Sequence, residues 1–174
     1  MADPKNTIAF QGAPGANSDM ACRAVYPEME TRPCNAFEDA FEAVTSARVK
    51  YAMIPIDNSV AGRVADIHHL MPNSGLYIIG EHYQRVNHQL LAVPGTTIND
   101  ITHVHSHIHA LNQCRKLIRE LGIQPVVHAD TAGAARDIAE WSDKTQAALS
   151  SSLAAGLYGL DTLRDEAEDA AHNT

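Results

Sequence analysis

The sequence predicts an α/β fold of two lobes with a cleft between them. Short apolar runs of strand type alternate with segments of helical period, once over roughly residues 7–71 and again over roughly 102–158. A long β-rich stretch from Gly75 to Val93 separates the two series. The 174 residues, 45% hydrophobic and 20% charged, suit one compact unit or two small lobes. Ligands of open α/β sheets bind at the carboxyl ends of the strands, and a two-lobed version would place the site in the cleft.

The elements follow in order. Thr7 to Phe10 reads as a strand that leaves its sheet at the turn Gly12-Ala13-Pro14-Gly15. Asn17 or Ser18 caps a helix over about Asp19 to Tyr26, and Met29 to Cys34 is a strand. Asn35 caps a helix whose apolar residues Ala36, Phe37, Ala40, Phe41 and Val44 recur at helical spacing. Tyr51 to Ile56 is a buried strand broken by Asp57-Asn58-Ser59, and Gly62 to Met71 is a helix ending at Pro72. The second series runs strand Thr102–His105, helix His107–Leu121, strand Gln124–His128, helix Thr131–Glu140 and strand Gln146–Leu149. Ser150 or Ser151 caps a last helix through Tyr158, stopped by Gly159. The expected lobes are about 1–78 with 152–174, and about 79–151. Asp161 to Ala171 reads as a solvated helix face or tail.

Composition excludes several classes. A net charge of −8 argues against nucleic-acid binding and requires any anionic substrate to meet a local positive site. No apolar run approaches the roughly 18–20 residues of a membrane span, and MADPKNTIAF has no secretory pattern. Cys22, Cys34 and Cys114 lack CxxC spacing, which points to free thiols and the cytoplasm.

Three segments bring polar groups to places where a ligand could bind. Asp57, Asn58 and Ser59 follow a buried strand and precede an expected helix start, where free N–H groups favour anions; Asp57 or Asn58 could equally be a simple helix cap. Ser106 stands at an expected N-cap, followed by His107, and Gln113 lies about two turns into that helix near His109. Thr131-Ala132-Gly133-Ala134-Ala135 opens a third helix, its small residues fitting either close ligand approach or tight helix–sheet packing. His103, His105, His107 and His109 alternate like zinc ligands. The strand ends near 105, however, and the helix starts near 107, so they would not share one face, and no metal is expected.

Taken together and in order, these segments resemble the prephenate dehydratase family over nearly the whole chain. The family's Gly-Pro-x-Gly-Thr-aromatic-Ser loop resembles Gly12 to Ser18, and its Glu-Asn-Ser-x-x-Gly motif resembles Asp57, Asn58, Ser59 and Gly62. Its histidine–leucine pattern resembles His88, Leu90 and Leu91 before Gly95. Its Ser-His-x-x-Ala-Leu-x-Gln-Cys signature matches Ser106, His107, Ala110, Leu111, Gln113 and Cys114, and its Thr-Ala-Ala/Gly-Ala-Ala start matches Thr131 to Ala135. The helix ending in Tyr-Gly-Leu matches Ala154, Ala155, Tyr158, Gly159 and Leu160.

The resemblance implies decarboxylating dehydration of prephenate to phenylpyruvate, with no metal or organic cofactor. It implies catalytic roles for Asp57, Asn58, Ser59, Ser106 and Gln113, and substrate binding by Ser18, Gly62, His107 and Thr131. Helix N-termini near residues 60, 107 and 131 would add roughly 0.3–1 kcal/mol each toward an anion. Three departures stand out. Asp57 replaces the usual Glu; Ala13, Ala16 and Asn17 depart from the first loop; and the family's Thr-Arg-Phe motif is absent from these 174 residues, as is an ACT-type regulatory domain. The expectation is a catalytic domain cut before Thr-Arg-Phe, of low activity and without allosteric control by phenylalanine. Its partner is prephenate, with neither nucleic acid nor membrane, and a homo-oligomer is left open. Rival readings are a binding module of type II periplasmic-binding-protein architecture, an arogenate dehydratase, and a scaffolding fragment without ligand.

Overall fold

The computed structural model describes residues 3–170 and 172–174. The described chain divides into two compact units, one of residues 3–13, 17–84 and 174, the other of residues 14–16 and 85–173. The expected division differs mainly at its last segment. Residues 152–173 fall in the second unit, because Asp161–Arg164 is a strand there and not a solvated tail.

The first unit contains β1 (Thr7–Gln11), α1 (Asn17–Val25), β2 (Glu30–Cys34), α2 (Phe37–Thr45), β3 (Tyr51–Met53), β4 (Asp57–Asn58), β5 (Gly62–Arg63) and α3 (Ala65–Leu70). β1 lies between β2 and β3 in a parallel sheet, Ile8 opposite both Thr31 and Tyr51. A central parallel strand is covered on both faces. That is why Ile8, Ala9 and Phe10 are all apolar and all buried. β2 carries Pro33, which cannot donate to a ladder, and so it sits at the edge. Ala40 and Ala43 of α2 pack with Ala9, Cys34 and Val49. Ala36, not Asn35, is the N-cap of α2, and Asp39 accepts the Ala36 N–H at 3.1 Å.

Three further expectations fail. The strand expected to be buried through Ile56 is only half-buried and stops at Met53, and the chain then makes a small antiparallel ladder in which Asp57 faces Arg63 and Asn58 faces Gly62. Gly62 therefore belongs to a hairpin rather than a helix, with φ of 84°. The helix begins only at Ala65. The β-rich stretch from Gly75 also resolves differently: residues 75–88 are irregular, and only Gln89–Ala92 forms a strand.

The second unit contains β6 (Gln89–Ala92), β7 (His103–Ser106), α4 (Ile108–Gln113), α5 (Arg115–Leu121), β8 (Gln124–Val127), α6 (Thr131–Trp141), β9 (Gln146–Ser150), α7 (Ser152–Tyr158) and β10 (Asp161–Arg164). Its five strands run in the order β10-β6-β9-β7-β8. β9, β7 and β8 are parallel, whereas β6 is antiparallel to both its neighbours. The core gathers Leu90, Val104, Leu111, Leu117, Ile118 and Leu149. Ser151 caps α7: its Oγ accepts the Ala154 N–H at 3.0 Å and donates to the Gly15 carbonyl. Gly159, left-handed at φ 65°, ends the helix as its sequence position suggests.

Candidate functional site

The second unit holds a polar arrangement around Gln113. The single helix expected from His107 to Leu121 is two helices, broken at Cys114 with φ −120° and ψ 29°. The cause is a segment far along the chain. Asp169 donates its backbone N–H to the Gln113 carbonyl at 2.6 Å, and its carboxylate accepts the Lys116 N–H at 2.9 Å. Asp169 thus takes over bonds that a continuous helix would make with itself.

Gln113 becomes the last residue of α4 instead of a mid-helix one. Its side-chain Oε1 lies 3.2 Å from His88 Nε2 and accepts the Asn173 Nδ2 hydrogen at 3.0 Å. His88 is buried; its backbone N–H donates to the Glu168 carboxylate, and its carbonyl accepts the Ala167 N–H at 2.9 Å. Burial pulls the imidazole below its usual range, opposed by the Glu168 charge and the Gln113 hydrogen bond. Asn173 is buried too, and its carbonyl accepts the Val86 N–H at 2.8 Å.

Ser106 is not the N-cap. It is the fully buried last residue of β7, and its hydroxyl donates to the Leu149 carbonyl on β9 at 2.6 Å. His107 caps α4 instead, its Nδ1 accepting the His109 N–H at 3.3 Å. Burial first, then the neighbouring His109, lowers the His107 pKa, opposed by Asp130. The alternating histidines separate into distinct environments. His105 donates to Gln146 Oε1 at 2.8 Å and meets Trp141 edge-on, while the His107 and His109 rings lie 5.0 Å apart. Among the described residues no group of three or more His, Cys, Asp or Glu is placed to hold a metal.

Thr131 opens α6, half-buried, behind Asp130, whose Oδ1 accepts the Gly133 N–H at 2.6 Å. A Cβ on Gly133 would lie 2.6 Å from that carboxylate, and Ala132, Ala134 and Ala135 are fully buried. The small residues here serve the cap and the helix–sheet packing.

In the first unit the Asp57–Gly62 motif is a turn, not a helix mouth. Asn58 Oδ1 accepts the N–H groups of Val60 and Ala61 at 3.0 and 2.7 Å, and Asp57 Oδ1 accepts that of Asn58 at 2.8 Å. The positive helix end expected near residue 60 does not exist. The Ser59 N–H donates to the Thr174 carbonyl at 2.9 Å, and the Thr174 N–H donates to Ser59 Oγ at 3.0 Å. Ser18 stands half-buried in the first turn of α1.

The histidine–leucine pattern names His88 without giving it a role at the site, and Asn173 and the Glu168–Asp169 pair belong to none of the motifs assigned a site role.

The prephenate dehydratase family model matches residues 8–174. A curated relative from Komagataeibacter europaeus, named bifunctional N-acyl-homoserine lactone acylase/prephenate dehydratase, is 52% identical over 167 residues, 96% of this chain and 59% of that one. An arogenate dehydratase/prephenate dehydratase from Arabidopsis thaliana is 42% identical over 171 residues, 98% of this chain and 44% of that one. The chain thus spans about half the length of these relatives. Among solved structures, prephenate dehydratase in complex with L-Phe from Arthrobacter aurescens superposes with a TM-score of 0.88 at 29% identity, covering 96% of this chain and 58% of that one.

Proposed function

The chain belongs to the prephenate dehydratase family, and from that premise we propose that it catalyses the decarboxylating dehydration of prephenate to phenylpyruvate. The observation that carries the reading is the family match over residues 8–174. Prephenate bears a ring carboxylate, a ring hydroxyl and a pyruvyl side chain. The bond to the ring carboxylate breaks and releases CO2, its electron pair moves into the ring, and the ring hydroxyl leaves with a proton as water. The aromatic product supplies the driving force. The protein has to hold two carboxylates in place and bring a proton to the departing oxygen.

In this reading Gln113, Asn58 and Ser59 supply amide and hydroxyl contacts to the substrate. Asp57 shapes the turn that carries Asn58. Ser106, its hydroxyl occupied by Leu149, fixes the end of β7 from which His107 and α4 depart. Ser18, Gly62, His107 and Thr131 complete the binding set. The family resemblance assigns the proton-supplying hydroxyl and an anion-binding guanidinium to Thr-Arg-Phe. Residues 1–174 alone would then react slowly, and appending that motif would raise the rate by roughly 10²–10⁴-fold. The three free, buried cysteines favour a cytoplasmic setting; among the described residues no helix is long and apolar enough to cross a membrane.

The test is phenylpyruvate formation from prephenate, with phenylalanine formation from arogenate measured beside it. Faster turnover of arogenate would move the substrate assignment to the amino acid. Turnover of neither, even with the motif appended, would favour a binding module and remove the dehydratase reading. The 52% identity to a relative named also as an N-acyl-homoserine lactone acylase favours one second reading, amide hydrolysis. Release of fatty acid from an N-acyl-homoserine lactone tests it directly.

A further inference from the structure

The side-chain oxygen of Gln113 has two nitrogen neighbours, His88 Nε2 at 3.2 Å and Asn173 Nδ2 at 3.0 Å. A carbonyl oxygen has two lone pairs, and two donors fill them. With Asn173 as placed, the opposite orientation of Gln113 would set amino group against amino group, donor against donor. With the oxygen held from two sides the amide plane is fixed, and its nitrogen, carrying two hydrogens, points away from His88 and Asn173. We propose that His88 and Asn173 are positioning residues that lock the Gln113 amide so that its N–H pair is presented to a substrate carboxylate. The proposal rests on the dehydratase reading for the identity of that carboxylate.

The two positioning residues are themselves tied down. His88 is held through both backbone groups, by Glu168 and by Ala167. Asn173 is held through its carbonyl by Val86, and the Gln113 carbonyl by Asp169. Residues 86–88, 113, 167–169 and 173 therefore form one hydrogen-bonded layer within the second unit. A buried neutral imidazole has one N–H, and a bond to an amide oxygen requires that hydrogen on Nε2. A long, flexible glutamine that is ordered during folding need not be ordered on binding.

Two measurements test this. Nitrogen-15 NMR of the unliganded protein should find His88 in the Nε2–H tautomer. The Nδ1–H tautomer, or a Gln113 amino group donating to His88, overturns the proposal whether or not prephenate is turned over. Kinetically, His88→Phe removes the donor and keeps an aromatic ring, and should lower kcat/KM on the order of 10–100-fold. His88→Gln, which restores an N–H donor, should recover part of that loss. In a Gln113→Ala background, His88→Phe should cost less than about twofold more. Full, multiplicative losses in the double variant would show that His88 acts independently of Gln113 and would also overturn the proposal. The kinetic comparison is made with Thr-Arg-Phe appended; inactivity there would instead count against the dehydratase reading, and the tautomer would still decide the positioning.

Discussion

The Asp169 carboxylate accepts the backbone N–H of Lys116 at 2.9 Å, so α5 is capped by a residue from the far end of the second unit. Lys116 returns the contact, its Nζ reaching the Asp169 carbonyl at 3.3 Å. Asp169 is thereby bound to the helix start that follows Gln113.

Asp169→Ala removes this cap. The first turn of α5 has no side-chain cap of its own, and the loss of a capping carboxylate costs about 1 kcal/mol. Urea denaturation should show a lower midpoint with an unchanged slope. Asp169→Asn keeps an accepting oxygen and should lose less. Equal losses in the two variants would point to charge and not to capping.

Gly15→Ala should be more damaging. Gly15 has φ of 92°, and a Cβ there would lie 2.8 Å from Ala154 Cα. Backbone strain of this kind costs about 1–3 kcal/mol, and contact with helix backbone adds to it. The Gly15 carbonyl also accepts the Ser151 hydroxyl at the start of α7. Thermal unfolding of the variant should occur well below that of the parent; a change within error would mean that the loop relaxes freely.

The three cysteines should resist thiol reagents in the folded protein. Burial, reinforced by the Asp19 charge, raises Cys22 to about 12, and burial likewise raises Cys34 and Cys114. Only the thiolate attacks, so at pH 8 an aromatic disulfide reagent should label the native protein slowly and the denatured protein at once. Fast labelling of one native cysteine would reveal local opening at that site.

Much of the fold was legible because its signals are local. The apolar run Thr7–Phe10 and the stop at Gly159 each state their role within a few residues, and the cap of α7 is narrowed to Ser150 or Ser151, of which the structure takes Ser151. What escaped reading is set by distant partners. Nothing near Cys114 announces a helix break, because Asp169 makes it. Asp161–Arg164 has no apolar pattern, yet it becomes a strand because β6 offers an edge. Asn58 looked like the residue before a helix, since its acceptance of two following N–H groups is common to caps and turns; the hairpin at Gly62 decides for a turn. The motifs contain both Gln113 and His88 but do not join them, because hydrogen bonds of Gln113 to His88 and Asn173 leave no periodic trace.

Stability should fall as the solution is acidified below about pH 6.5. Burial lowers the folded-state pKa of His88, against the opposing pull of Glu168 and Gln113, and that of His107, whose neighbours are His109 and Asp130. In the unfolded chain both histidines titrate near 6.5. Above that pH both states hold the imidazoles neutral, and their contribution is fully present. Below it the unfolded chain takes up protons first, so it binds more protons than the folded one and stability declines as pH falls toward the folded-state values. Asp137, held low by His128 and Arg136 against its own desolvation, adds a separate loss only below about pH 4. Between pH 7.5 and 5 the histidines therefore dominate among these shifted groups. The measurement is the unfolding midpoint across that range for the parent and for His88→Phe. The variant's midpoint at pH 7.5 depends on packing as well, so the slope decides. A shallower decline in the variant is expected, and parallel slopes would show that His88 carries no proton-linked stability.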